Sequence, residues 1–144
     1  MHFSFTSIQG SESLEDTFVR LYYAWGKTSG KGSSLAQTRI IAEAIPEILQ
    51  FLDCRSMLDL GCGDYVWMRH LDLPIETYIG ADVIKELVSE HQKTFTDNKH
   101  TFIYLNAIKD NIPTVDLILC RDFLVHYSNE EILQVLKNIK ASRS

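Results

Sequence analysis

Hydrophobic and polar positions follow two different periods along this chain. Short apolar runs predict buried strands at Ser56–Leu60, Thr77–Asp82, Thr101–Asn106 and Val115–Cys120. Apolar residues at helical spacing predict helices at Glu12–Trp25, Leu35–Leu52, Tyr65–Leu71, Ile84–Phe95 and from Ser128 onwards. Strands that alternate with helices are typical of an α/β fold with a mainly parallel sheet.

Local signals mark the ends of the predicted helices. Ser11 or Ser13 is expected to cap the first helix, since acidic residues crowd the turn that follows. Pro46 is expected to kink or restart the second helix, because proline has no N–H to donate to the preceding turn. Ser128 and Glu131 have the spacing of a capping box, which predicts where the last helix begins.

The stretch from Ser56 to Trp67 is the centre of this pattern. A strand runs into Gly61-Cys62-Gly63, and a segment compatible with a helix follows. Glycines let the backbone turn tightly and approach a ligand with no side chain in the way. A helix that starts there offers free N–H groups and the positive end of its dipole. We therefore expect a ligand site of the nucleotide-binding type at this turn.

Asp82 strengthens the expectation of a ribose-containing ligand. It ends the second predicted strand about 20 residues after the Gly turn, where a carboxylate meets a ribose in such folds. One carboxylate can accept two hydroxyl hydrogen bonds at once, which suits the edge of a ribose. Dinucleotide binders also need a third glycine, which this turn lacks.

A Gly- and Ser-rich segment, Gly26–Ser34, separates the first two predicted helices. Its residue types favour a linker. The alternative is a nest of backbone N–H groups that faces an anion beside the next helix. The spacing around Lys31 is not that of a Walker A loop, so a P-loop is excluded.

Composition narrows the class of protein. With 144 residues, of which 45% are hydrophobic and 23% charged, the chain suits one globular domain. Its net charge of −5 does not indicate a basic surface of the kind that binds nucleic acid. Cys54, Cys62 and Cys120 are too widely spaced for a zinc or disulfide framework, so we expect no metal and reduced thiols in the cytoplasm. We expect neither a secretion signal nor a membrane span, because no basic leader and no apolar run of ~20 residues is present.

The motif Leu58-Asp59-Leu60-Gly61-Cys62-Gly63 closely resembles the first motif of class I S-adenosylmethionine (SAM)-dependent methyltransferases. The resemblance runs from Ser29 to about Ser142, and it is greatest to a group of bacterial-type methyltransferases. That group carries a Ser-Gly-x-Gly-Ser loop, an Asp-x-Gly-Cys-Gly-Asp turn followed by Trp-Met, and a similar fourth strand followed by a histidine. The matching segments here are Ser29–Ser33, Asp59–Asp64, Trp67-Met68, Asp116–Asp122 and His126.

The resemblance implies that SAM is the cofactor. The residues it implies in contact with SAM are Asp59, Gly61, Gly63, Asp64, Trp67, Asp82, Val83, Asn106, Ala107 and Arg121. Asp59 and the two glycines would surround the methionine part, and Asp82 would bind the ribose hydroxyls. Asn106 and Ala107 would meet adenine; family members usually have Asp in place of Asn106, but an amide oxygen can also accept a hydrogen bond from the adenine amine. The Gly30–Ser34 loop becomes a cover over the amino-acid end of the cofactor.

Catalytic roles are implied for Arg121, Asp122 and His126, which follow the fourth strand at the place where methyl transfer occurs. Asp122 and His126 are four positions apart and would share a face of a helix. His126 is either a general base for a hydroxyl or amine, or a hydrogen-bonded structural histidine. A base is needed only for a protonated, poorly acidic acceptor, because the sulfonium already activates the methyl group. These residues do not identify the methyl acceptor.

Members of this family have seven strands in the order 3-2-1-4-5-7-6, and this chain supplies strands one to four, with strands five to seven missing. We expect an N-terminal helical segment at residues 1–54 and a partial SAM-binding domain at residues 55–144, with parallel strands in the order 3-2-1-4. Strand four then becomes an apolar edge. Three explanations of such an edge stay open: the chain is a shortened product, it forms a homodimer across the edge, or its N-terminal helices cover the edge. The alternatives to an enzyme are a non-catalytic cofactor-binding remnant or interaction module, and a nicotinamide-binding domain.

Overall fold

The computed structural model describes residues 13–144. Its strands are β1 (Ser56–Leu60), β2 (Thr77–Asp82), β3 (His100–Tyr104) and β4 (Leu117–Leu119). They form one parallel sheet in the order β3-β2-β1-β4, which confirms the predicted α/β architecture. The helices are α1 (Leu14–Ala24), α2 (Leu35–Phe51), α3 (Lys85–Thr94) and α4 (Asn129–Ser142), and short 3-10 turns lie at Lys31–Ser33, Met68–His70 and Leu124–His126.

Helices cover both faces of the sheet. On one face Leu49 of α2 packs with Met57 and Phe102, and on the other Val135 of α4 packs with Leu58. Leu49 and Val135 are both 0% exposed, and burial of each contributes about 1.5–3 kcal/mol. The neighbours Met57 and Leu58 therefore pack on opposite faces of the sheet, as the alternation of side chains along a strand requires. A strand buried on both faces is a continuous apolar run, which is why the sequence pattern locates β1 correctly.

Ser13, one of the two caps expected for the first helix, and Ser128 both cap their helices as predicted. The Ser13 hydroxyl accepts a hydrogen bond from the Asp16 N–H (3.1 Å), and the Ser13 N–H donates to the Asp16 carboxylate (3.2 Å). Ser128 and Glu131 make the same reciprocal pair at the start of α4, at 3.4 and 2.8 Å. Glu12, the predicted first residue of the first helix, lies outside the described residues.

The predicted helix at Tyr65–Leu71 is wrong. Only the 3-10 turn Met68–His70 forms in this segment. Tyr65 has a left-handed backbone (φ +59°) and a buried side chain, so the chain leaves the Gly turn in a conformation that a right-handed helix does not continue. A three-residue turn has no substantial macrodipole, so ligand contacts here must come from the turn itself and from side chains.

Other element ends also differ from the prediction. Pro46 does not restart α2, which continues across it as one helix. β3 ends at Tyr104, since the Asn106 N–H turns away to the Asp110 carboxylate (2.7 Å). β4 is shorter than predicted, because Asp116 Oδ2 accepts the Arg55 and Ser56 N–H groups (2.8 Å each) and the ladder starts after it.

One edge of the sheet lacks a neighbouring strand within residues 13–144. β4 pairs with β1 on one side, and none of the described strands pairs with its other side. α2 lies on a face of the sheet, where Ile45 and Leu49 belong to the core. Across the same described range, no helix combines the length and the apolar character that crossing a membrane requires.

Candidate functional site

A cavity of about 630 Å³ opens at the carboxyl ends of β1 and β2. Its walls come from α1, from residues 28–33, from the turn after β1, from the end of β2 with the start of α3, and from the segment between β4 and α4. Open parallel sheets bind their ligands at this edge. The volume is that of a small-molecule or cofactor site, so this cavity is the candidate functional site.

The fold brings many of the residues predicted from the sequence to this cavity. Its wall includes Gly61, Gly63, Asp82, Val83, Arg121, Asp122 and His126. The predicted residues that lie outside the wall are Asp59, Asp64, Trp67, Asn106 and Ala107. The first group combines segments that are distant in the chain and meet only because the strands are parallel.

Asp82 ends β2 with its carboxylate on the cavity wall. Oδ2 accepts a hydrogen bond from the Gly63 N–H (3.0 Å), and Oδ1 accepts one from the Ile84 N–H (3.1 Å). Burial raises the pKa of Asp82, although these N–H donors act to lower it. Each carboxylate oxygen has a further lone pair, so Asp82 can also accept hydroxyl hydrogen bonds from a ligand.

Gly61 and Gly63 bring bare backbone to the cavity at positions where no side chain fits. Both have left-handed backbones, with φ +80° and +56°. A Cβ on Gly61 would lie 2.5 Å from Cδ2 of Phe123, and a Cβ on Gly63 would lie 2.1 Å from Oγ of Ser29. The turn therefore requires glycine for its conformation and for its packing.

Ser29 and Asp64 tie the Gly- and Ser-rich segment to the turn. The Ser29 N–H donates to Asp64 Oδ2 (2.8 Å), and the Asp64 N–H donates to Ser29 Oγ (2.7 Å). We call this reciprocal pair the Ser29–Asp64 latch. Asp64 faces a smaller cavity of about 280 Å³. Its carboxylate is engaged within the protein, and its contact with a cofactor stays a prediction.

Arg121 provides a second tie to the same segment. Its Nη2 donates to the Gly32 carbonyl (2.9 Å) and lies 3.1 Å from Asp122 Oδ2. The guanidinium carbon is 5.7 Å from the centre of the Trp67 ring, within the range of a cation–π interaction. Residues around Ser29 and Gly32 are thus fastened beside the cavity at two points.

Asp122 and His126 both reach the cavity, but they do not share a helix face. Leu124–His126 is a 3-10 turn, and Asp122 precedes it with a left-handed φ of +50°. The predicted helical pairing of the two side chains is therefore wrong. The His126 ring meets Phe18 of α1 edge-on, with 5.4 Å between ring centres, and this contact joins α1 to the opposite wall.

Asp59 and Trp67 lie in the protein interior beside the turn. Asp59 is 5% exposed, and its Oδ2 accepts a hydrogen bond from the Tyr78 hydroxyl (2.8 Å). Burial raises the pKa of Asp59 to about 7, although the bond from Tyr78 acts to lower it. Trp67 is 7% exposed and belongs to the core. Both support the turn, and direct contact between either of them and a cofactor stays a prediction.

Asn106 and Ala107 form a compact turn after β3. The Asn106 Oδ1 accepts a hydrogen bond from the Ile108 N–H (3.1 Å), and the Ala107 carbonyl accepts one from Asn138 Nδ2 (2.8 Å). The amide oxygen predicted to meet adenine thus accepts a local bond and lies outside the cavity wall, and its contact with adenine stays a prediction. The preceding residue, Leu105, lines the cavity.

Several residues at the site could not be found by reading the sequence. Phe123 packs against Gly61, and the imidazole Nε2 of His91 lies 2.8 Å from the Gly63 carbonyl oxygen. These partners are distant in the chain, so no spacing rule connects them. The wall residues Phe18 and Tyr22 are different, because their helical spacing already predicts a shared face of α1.

No protein-family model matches the chain, and no curated protein matches it. One similar solved structure is magnesium protoporphyrin IX methyltransferase from Synechocystis PCC 6803 with bound SAM. It is 20% identical, with a TM-score of 0.61 over 93% of this chain and 74% of that chain.

Two further similar structures come from different organisms. Human N-acetylserotonin methyltransferase in complex with SAM is 20% identical, with a TM-score of 0.66 over 92% of this chain and 39% of that chain. The sugar N-methyltransferase KedS8 from Streptoalloteichus is 16% identical, with a TM-score of 0.59 over 99% of this chain and 55% of that chain. This chain thus spans between 39% and 74% of the length of these proteins. At such identities the similarity establishes the architecture. The chain has the Rossmann-like fold of class I SAM-dependent methyltransferases.

Proposed function

We propose that this protein binds SAM in the 630 Å³ cavity and transfers its methyl group to an acceptor. The observation that carries the proposal is the shared wall formed by the Gly61–Gly63 turn and the Asp82 carboxylate. Bare backbone beside a carboxylate, at the carboxyl edge of a parallel sheet, suits a ligand with a ribose and a charged amino-acid end. The fold supports the same ligand.

The residues present fit SAM in size and in chemistry. The turn would hold the methionine part, because Gly61 and Gly63 present backbone without side chains on the cavity wall. Asp82 would accept the two ribose hydroxyls. The apolar side chains of Leu87 and Leu105 offer a surface for adenine on the same wall.

When bound, SAM supplies a methyl group that its sulfonium already activates. The protein then has to orient the acceptor and keep water away. Residues 28–33 and α1 form much of the cavity wall and would exclude water. With Asp82 assigned to the ribose, Asp122 and His126 are a further carboxylate and an imidazole on the wall that can take a proton from a hydroxyl or amine acceptor, so we propose them as the acid–base residues. Arg121 pairs with Asp122 and would hold its carboxylate in place.

A non-catalytic cofactor-binding domain is the second candidate. One observation favours it: the Asp122 carboxylate already pairs with Arg121 at 3.1 Å, so it is engaged within the protein. A domain of this kind would bind SAM without methylating anything. The two candidates share the cofactor site and differ only in the transfer step.

A transfer assay separates these two candidates. The protein is incubated with SAM carrying a tritiated methyl group and with cell extract as the source of acceptors. We expect label in an extract component with the wild type and at least tenfold less with Asp82→Asn. Binding of SAM without any transfer of label would overturn the enzyme and support the cofactor-binding domain.

We also propose a cytoplasmic setting and self-association. Cys54, Cys62 and Cys120 are free thiols, which supports a reducing compartment. One edge of β4 pairs with none of the described strands, and this supports pairing with a second copy of the chain, because exposed strand edges tend to pair. Light scattering during size-exclusion chromatography should then give twice the 16.5 kDa chain mass, and a mass of 16.5 kDa would contradict the dimer.

A further inference from the structure

His91 is a buried imidazole that contacts the backbone of the Gly turn. It lies on α3 and is 4% exposed. Its Nε2 is 2.8 Å from the Gly63 carbonyl oxygen. A carbonyl can only accept a hydrogen bond, so Nε2 must carry the proton and donate it.

Both the N–H and the carbonyl group of Gly63 are therefore hydrogen-bonded to side chains. Asp82 Oδ2 accepts from its N–H (3.0 Å), and His91 donates to its carbonyl oxygen (2.8 Å). The two bonds tie one left-handed residue, with φ +56°, to β2 and to α3. Together they fix the orientation of both peptide planes that flank the cavity wall. We call this arrangement the Gly63 clamp.

Packing alone does not account for a histidine at this place. The His91 ring lies among aromatic rings, with centroids 5.1 Å from Phe102 and 5.6 Å from Phe95. A phenylalanine would fill such a site, and only an imidazole of similar shape adds a donor aimed at the turn. The same ring also reaches Asp82 electrostatically: burial raises the pKa of that carboxyl, and the interaction with His91 is among those that lower it.

We propose that His91 is a positioning residue for cofactor binding. Its hydrogen bond to the Gly63 carbonyl holds the backbone against which the methionine part of SAM lies. The proposal rests on the proposed function and adds a role to a residue outside the main cavity wall. His91 touches no ligand. It acts through the turn.

The test measures binding of S-adenosylhomocysteine (SAH) by calorimetry to the full chain. His91→Leu removes the donor, and His91→Gln keeps an amide N–H close to the position of Nε2. Phe95→Leu is the matched control, because Phe95 packs in the same aromatic cluster and its ring cannot donate a hydrogen bond to the turn. We expect about tenfold weaker SAH binding for His91→Leu, and for His91→Gln a value within about threefold of wild type. Phe95→Leu should lower the melting temperature and leave the SAH affinity unchanged.

Two results would overturn the role of His91. One is wild-type SAH affinity in His91→Leu, and the other is an equal loss of affinity in Phe95→Leu, which would reveal a packing effect. If His91→Leu does not fold, nitrogen-15 NMR of the wild type decides. The clamp requires the Nε2–H tautomer and a shift of the His91 signal on addition of SAH, and an Nδ1–H tautomer or an unmoved signal refutes it. A wild type that binds no SAH overturns the proposed function instead, so the two failures are distinguishable.

Discussion

Alanine at Gly63 should be much more damaging than alanine at Gly26, although both glycines have left-handed backbones. Their φ angles are +56° and +72°. A Cβ on Gly26 has no atom within 4 Å among the described residues, whereas a Cβ on Gly63 would lie 2.1 Å from Ser29 Oγ and 3.1 Å from Ser29 Cβ. Gly26→Ala therefore reports backbone strain alone. Gly63→Ala reports the same strain and the displacement of Ser29.

The magnitude follows from the bonds that must break. A left-handed backbone costs a non-glycine residue roughly 1–2 kcal/mol, which applies at both positions. At Gly63 the Ser29 hydroxyl must also leave the Asp64 N–H, which it holds at 2.7 Å in a partly buried place. A buried donor without its partner costs about 1–3 kcal/mol. We expect Gly63→Ala to lose about 2–5 kcal/mol of unfolding free energy, and Gly26→Ala about 1–2 kcal/mol.

Urea unfolding followed by far-ultraviolet circular dichroism measures both variants. The double variant Gly63→Ala with Ser29→Gly serves as a coupling test, since glycine at position 29 removes the atoms that collide. Ser29→Gly should cost at least about 1 kcal/mol less in the Gly63→Ala background than in the wild type. The reasoning is refuted if Gly63→Ala and Gly26→Ala cost the same within about 0.5 kcal/mol, or if the two substitutions add without coupling.

Two further predictions concern groups beside the turn. Burial raises the folded-state pKa of Asp59 to about 7 from its ordinary 3.8. The native protein therefore keeps a proton that the unfolded chain releases, and the free energy of unfolding falls as pH rises from about 4 to 7. Asp59→Asn cannot ionise, so its unfolding free energy relative to wild type should rise by roughly 4 kcal/mol between pH 4 and 8 in urea titrations, and a constant difference would contradict the raised pKa. Arg121→Gln shortens the side chain that holds the Gly32 carbonyl, and trypsin should then cleave after Lys31 several-fold faster than in wild type. An unchanged cleavage rate would show that Arg121 does not restrain this segment.

The sequence is sufficient to locate the sheet. β1 and β2 are predicted with their observed ends, because a buried parallel strand is a continuous apolar run whatever its neighbours are. The start of α4 is equally well predicted, and Ser13, one of the two caps expected for the first helix, does cap α1, since each capping pair lies within one helical turn.

Local rules fail where distant parts of the chain determine the structure. The segment after the Gly turn has apolar residues at helical spacing, but Trp67 and Met68 are buried in the core and no α-helix forms there. A window this short does not distinguish helix from irregular chain by periodicity. The start of β4 depends on Asp116, which accepts hydrogen bonds from the Arg55 and Ser56 N–H groups at the start of β1.

The candidate site likewise has residues that the sequence predicts and residues that only the fold reveals. Gly61, Gly63 and Asp82 were predicted because a turn and a strand end carry their own signals. The contacts of Ser29 with Asp64 and of His91 with the Gly63 carbonyl were not predicted, because each joins segments that are many residues apart. Motif spacing thus predicts the backbone of the site, and the side chains that hold it in place follow only from the fold.

Titration calorimetry with SAH tests the central claim most directly, with the wild type beside Asp82→Asn and Asp116→Asn. Both carboxylates accept two backbone N–H groups, but Asp82 lies on the cavity wall and Asp116 lies at the opposite ends of the strands. We predict that the wild type binds SAH, that Asp82→Asn binds it at least tenfold more weakly, and that Asp116→Asn binds it within about twofold of wild type. No binding by the wild type, or equal affinities in all three proteins, would contradict the account.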